Sequence, residues 1–80
     1  MQAPQKMMVY PPGTQVRIGN HVGTVNEIRI CPSGAIYLIS WWSDGLYYTN
    51  SFYELEFEVL NAEQAESYQA LIRLGIPIRD

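Results

Sequence analysis

Ala35-Ile36-Tyr37-Leu38-Ile39-Ser40-Trp41-Trp42-Ser43-Asp44-Gly45 is a run of β-branched and aromatic residues that ends in a turn dipeptide. Such residues fit a pleated, half-buried surface, and Asp-Gly supplies the positive φ angles that a two-residue hairpin turn requires. The stretch reads as a strand entering a hairpin, with Leu46-Tyr47-Tyr48-Thr49-Asn50 returning antiparallel to it. Alternation puts Tyr37, Ile39 and Trp41 on one face and Ile36, Leu38, Ser40 and Trp42 on the other. Both faces are apolar. The strand is therefore either covered on both sides, or has a second face that meets a helix, a partner or a ligand.

Upstream, Tyr10-Pro11-Pro12-Gly13 is a turn, since two prolines fix φ and glycine permits the bend. Thr14 to Ile18 alternates with Val16 and Ile18 inward, before Gly19-Asn20 breaks the run. Val22 to Cys31 reads as a longer strand, but Val25, Ile28 and Ile30 do not hold one parity. A bulge between Val25 and Ile28 repairs that register and bends the strand. Pro32-Ser33-Gly34 is the next turn. Downstream, Ser51 to Leu55 reads as a helical turn with Phe52 and Leu55 on one side. Glu56 to Leu60 reads as a last strand with Phe57 and Val59 inward. Five short strands at this spacing predict a closed antiparallel barrel.

Asn61 followed by Gln64 is a capping box, and Gly75 with Pro77 beyond is a stop signal. The helix expected between them, over about 62 to 74, has Ala65, Tyr68, Leu71 and Ile72 on one side. That side either plugs an open end of its own barrel or docks on another subunit. The chain divides into a lead-in over 1–9, a small β-barrel over 10–60, and a C-terminal helix and tail over 61–80.

Eighty residues make one domain, at a size that buries only about 60 to 65% of its unfolded surface. Cys31 is the one cysteine, so an internal disulfide is excluded, and neither a metal site nor a cofactor motif is present in the sequence. Without an apolar run long enough to span a bilayer, a cytoplasmic protein with no membrane association is the expectation. The net charge of −3 is uneven: Glu54, Glu56, Glu58, Glu63 and Glu66 concentrate acid in residues 54–66, while the chain has five Lys and Arg in all. Phosphate-backbone binding needs several cations converging on one surface, so nucleic acid is disfavoured as a partner.

Catalysis is also disfavoured. His21 has no second His or Cys at ligand spacing and reads as a solvated turn residue. Ser40 and Ser43 lack a nucleophile elbow, and no phosphate-binding glycine loop occurs. Glu54, Glu56 and Glu58 read as an exposed acidic strand face that discourages strand addition.

Pro12-Gly13, Val16-Arg17-Ile18, Gly23-Thr24-Val25 with Ile28, Tyr37-Leu38-Ile39-Ser40-Trp41, Asp44-Gly45 and Leu55 resemble the layout of Src-homology-3-like small barrels of the Tudor and KOW kind. The resemblance covers about residues 12 to 60. It extends to short uncharacterised barrel proteins of bacteria and phages that carry a Trp-Trp strand. It implies a five-stranded barrel that acts by binding. KOW-type barrels that bind RNA or polymerase carry many basic residues, which this chain lacks. Tudor-type domains read methylated side chains with an aromatic cage and an acid; Trp41, Trp42, Tyr47, Tyr48, Phe52, Tyr53 and Asp44 supply the residue types. Aromatic residues are equally enriched where protein surfaces meet. The expected role is a non-catalytic interaction or assembly module, with Leu38, Trp42, Asp44, Tyr47, Tyr48 and Tyr53 meeting another protein or a second copy of the chain.

Overall fold

A computed structural model describes residues 9–78; the lead-in before Val9 and the last two residues of the tail lie outside that range. Strands β1 (Gln15–Ile18), β2 (His21–Cys31), β3 (Gly34–Ser43), β4 (Leu46–Tyr53) and β5 (Glu58–Val59) form one antiparallel sheet in the order β4-β3-β2-β1-β5. Helix α1 (Ala62–Arg73) follows.

The turns are where residue chemistry demands them. Asp44 and Gly45 have φ of 51° and 77°, the left-handed pair that closes Ser43 against Leu46. At Gly13, φ of 95° lets Thr14 N–H reach the Pro11 carbonyl at 3.1 Å. The β2–β3 register shifts between Val25 and Glu27, so the expected bulge is present, with Asn26 as the extra residue.

Val16, Val25, Tyr37 and Ile39 are the fully buried centre, with Tyr10, Ile18, Ile28, Trp41, Phe52 and Phe57 packed around them. Tyr37 meets Phe57 edge-on at 5.1 Å and Tyr10 at 6.1 Å, and the Tyr10 N–H donates to the Tyr37 hydroxyl at 3.3 Å. These residues share one face of the sheet, as the alternation predicts.

Three expectations are corrected. The sheet does not close into a barrel, because β4 and β5 remain its two ends and share no ladder. β5 has only two residues, spent on Val16 and Arg17 of β1. Secondly, β4 runs on through Tyr53, so the helical turn starts later, as a 3₁₀ turn at Glu54–Glu56. Phe52 consequently joins Trp41 in the core while Leu55 swings out to 99% exposure. The three carboxylates then share no strand face: Tyr10 OH donates to Glu54 at 3.4 Å, Tyr53 N–H donates to Glu56 at 2.9 Å, and Arg17 binds Glu58 at 3.0 Å.

The third correction concerns α1, which plugs no barrel end. Asn61 and Gln64 cap its start reciprocally at 2.8 and 3.0 Å. Its end is a Schellman motif, with Gly75 N–H on Ile72 O, Ile76 N–H on Leu71 O, and Gly75 at φ 72°. The helix packs on β1 and β2 of its own chain, on the face opposite the core. Arg17, paired with Val22 and one step off the buried Val16, lies on that outer face under the Tyr68 ring, 5.6 Å from its centroid. Ala65 is buried there, and so is Leu60, which pairs with Gln15 just beyond β5. α1 packs chiefly on β1 and β2, and on the outer face beyond it Trp42 of β3 and Tyr47, Thr49, Ser51 and Tyr53 of β4 stay exposed.

Candidate functional site: an aromatic cleft beside the helix

Alongside the end of α1, a cleft of about 550 Å³ opens between Gln69, Ile72 and Arg73 of the helix and Ser40, Trp42 and Tyr47 of the hairpin. Trp42 and Tyr47 are opposed across β3 and β4, with ring centroids 4.9 Å apart. They are 67% and 54% exposed, which is unusual for rings that pack on each other. On its other side Trp42 borders a second cleft of about 400 Å³, with Asp44, His21, Ile72 and Ile76 around it. Trp42 thus stands as a partition between two hollows, with exposed Ile76 lining the second and exposed Leu46 beside Tyr47 on β4.

The cleft floor is polar. Ser40, only 4% exposed, is the buried polar residue of β3. Its hydroxyl meets Thr49 Oγ1 at 2.8 Å and accepts from the Asn26 amide, which also donates to the Tyr47 hydroxyl at 3.4 Å. The bulge aims Asn26 at Ser40, so an irregularity in the ladder builds the site. Arg73 is the charged side chain on the cleft wall.

This network acts on the Tyr47 phenol. The Ser40 hydroxyl, and to a lesser degree the Asn26 amide, stabilise its ionised form and hold it below the ordinary value of 10.0. Tyr47 is therefore expected to ionise below the ordinary tyrosine value in a phenolate absorbance titration. Ser40→Ala should move the Tyr47 step upward, and Tyr47→Phe should remove it; a titration unchanged in both variants contradicts the assignment. For stability the sign is fixed by the depressed value. The contribution is complete above the unfolded tyrosine range, is lost as pH falls through the lowered folded value, and is nil near neutrality.

The structure distributes the aromatic residues between two faces. Trp41, Tyr48 and Phe52 lie on the core face, Trp41 stacking on Tyr48 at 5.7 Å and on His21 at 5.9 Å. Leu38, Trp42, Tyr47 and Tyr53 lie on the outer face, and Asp44 sits in the turn. His21 is therefore half-buried against Trp41 rather than a solvated turn residue. Cys31 is a half-exposed free thiol at the end of β2. Asn26, Gln69, Ile72 and Arg73 are cleft residues that a reading of the hairpin alone misses. The signals were a serine inside an apolar strand and an asparagine at a parity break. Among the described residues, no group of His, Cys, Asp or Glu is placed to hold a metal, and no helix is long and apolar enough to cross a membrane.

No protein-family model, curated protein or solved structure matches this chain.

Proposed function

We propose that this chain is a non-catalytic protein-interaction or assembly module, a cytoplasmic domain of Src-homology-3-like type whose contact surface is the outer face around Trp42. The observation that carries the reading is the exposed Trp42–Tyr47 pair at the mouth of the cleft. An indole packed against a second ring and still two-thirds exposed is the kind of aromatic anchor that dominates binding energy at interfaces. Ile72 borders Trp42 in both clefts, Leu38 and Tyr53 lie farther along the same outer face, and Ser40 and Asn26 offer hydrogen bonds on the cleft floor. Arg73 on the wall favours a partner segment that carries a carboxylate beside its apolar residues. A role beside nucleic acid draws less support, because Arg73 is the single cation on that wall.

The test is capture of a partner from the native host by the wild type and by Trp42→Ala and Tyr47→Ala. Each truncation is expected to cost about 2 kcal/mol or more, a roughly thirtyfold weaker Kd. Equal capture by all three proteins would place the contact surface elsewhere.

A further inference from the structure

β4 is a free edge of the sheet, eight residues from Leu46 to Tyr53 with no charged residue and no proline. Edge strands of this length usually carry lysine, proline or a bulge, because their unpaired N–H and C=O groups recruit another strand. With Ser43 and Leu46 as the closing pair of a two-residue turn, Leu46, Tyr48, Asn50 and Phe52 bond back to β3. Tyr47, Thr49, Ser51 and Tyr53 therefore direct their backbone groups outward. Two side-chain contacts fix the same phase: Ser51 N–H donates to Asn50 Oδ1 at 2.8 Å and Tyr53 N–H to Glu56 at 2.9 Å. Among the described residues, no backbone bond joins this outward row to another element.

The geometry points to a second copy of this chain as the occupant of that edge, the two β4 strands pairing antiparallel about a two-fold axis at Asn50. In that register Tyr47 faces Tyr53 of the second copy, Tyr48 faces Phe52, Thr49 faces Ser51, and Asn50 faces Asn50. Ring opposes ring, hydroxyl opposes hydroxyl and amide opposes amide, the pairings that stabilise neighbouring strands. Outer-face residues meet outer-face residues, and the outward-directed backbone groups meet one another. Moving the axis by half a residue would break the hydrogen-bond phase and mix the faces. Moving it to Thr49 keeps the phase but sets Tyr47 against Ser51 and leaves Tyr53 unmatched.

The nearest acids, Asp44, Glu54 and Glu56, lie beyond the paired span. Asn50 turns off the Ser51 N–H to admit the ladder, while Glu56 keeps the Tyr53 N–H. Among the described residues, α1 packs on β1 and β2, and every residue of β4 but Phe52 is exposed. This inference goes beyond the proposed function: it uses the strand edge, which shares Tyr47 but not Trp42 with the cleft, and Trp42→Ala should leave it intact.

Light scattering from micromolar to near-millimolar chain tests it. The wild type should rise toward twice the 9.2 kDa of the chain. Asn50→Lys and Asn50→Asp each place like charges face to face on the axis, and each should weaken association at least tenfold. An equimolar mixture of the two should restore the doubled mass. In the wild type, hydrogen exchange at the Thr49 amide should slow as concentration rises, a readout that needs no variant. A wild type at single-chain mass throughout, Thr49 exchange independent of concentration, or a doubled mass unaffected in both variants would overturn the proposal, as would a mixture that stays at single-chain mass.

Discussion

Tyr37→Ala is expected to leave no cooperatively folded domain at ordinary temperature. Tyr37 is fully buried at the centre of the core and braces Phe57 and Tyr10, which come from opposite ends of the sheet-forming region. Truncating a buried aromatic residue costs about 3–5 kcal/mol in lost transfer energy and residual cavity. A domain of this size sits near the lower end of the usual 5–15 kcal/mol of stability, so the loss consumes most of it. Tyr37→Phe separates packing from hydrogen bonding. It keeps the ring and removes the acceptor of the Tyr10 N–H, for an expected loss of about 1–2 kcal/mol. Urea denaturation followed by tryptophan fluorescence checks both variants. A Tyr37→Ala midpoint close to that of the wild type would mean that the core is not centred there.

Gly23→Ala should be the next most damaging change, although it adds a single methyl group. A Cβ at Gly23 would lie 2.8 Å from Ile39 Cγ2 and 2.9 Å from the Ser40 carbonyl oxygen. The first is a fully buried side chain and the second is backbone in the middle of β3, so neither can move aside cheaply. Overpacking of this kind costs about 1–3 kcal/mol. It has nothing to do with the handedness that Gly45 needs at φ 77°, where an added Cβ would meet nothing within 4 Å. The strain at Gly23 falls on the residue that carries the cleft's buried hydroxyl. Gly23→Ala should therefore lower the unfolding midpoint and also shift the early Tyr47 ionisation. A midpoint within about 0.5 kcal/mol of wild type, the range of ordinary surface changes, would show that β2 and β3 have more room than the backbone implies.

Features encoded within a few residues were legible in the sequence. Asp44-Gly45, the Asn61–Gln64 box and Gly75 each need a particular side chain or a particular φ, and the local residues declare it. The bulge was legible because Val25 and Ile28 could face one core only if a residue between them fell out of step. What depended on distant partners was not. An amphipathic stripe shows that α1 must cover something, but Ala65 and Tyr68 do not say whether that is a barrel end or the back of β1 and β2. Barrel closure likewise depends on whether β5 is long enough to serve two neighbours, and polar Asn50 and Ser51 hid how far β4 extends.

The candidate site was half legible for the same reason. Parity alone separates Trp41 from Trp42, and pairing then separates Tyr48 from Tyr47. The cleft itself exists only because Gln69, Ile72 and Arg73 come alongside, and that placement follows from the packing of the helix rather than from the hairpin.

The bulge has a further meaning for how such a chain can change over time. Val25 faces Ile39 and Glu27 faces Leu38, neighbours on β3, so Asn26 is surplus to the ladder. The architecture counts every other position of β2 between Thr24 and Cys31 against a partner, yet it makes no demand on this one beyond a local bend. Its side chain answers to Ser40 and Tyr47 alone. Change in the cleft's chemistry can therefore enter at residue 26 without renegotiating the fold around it.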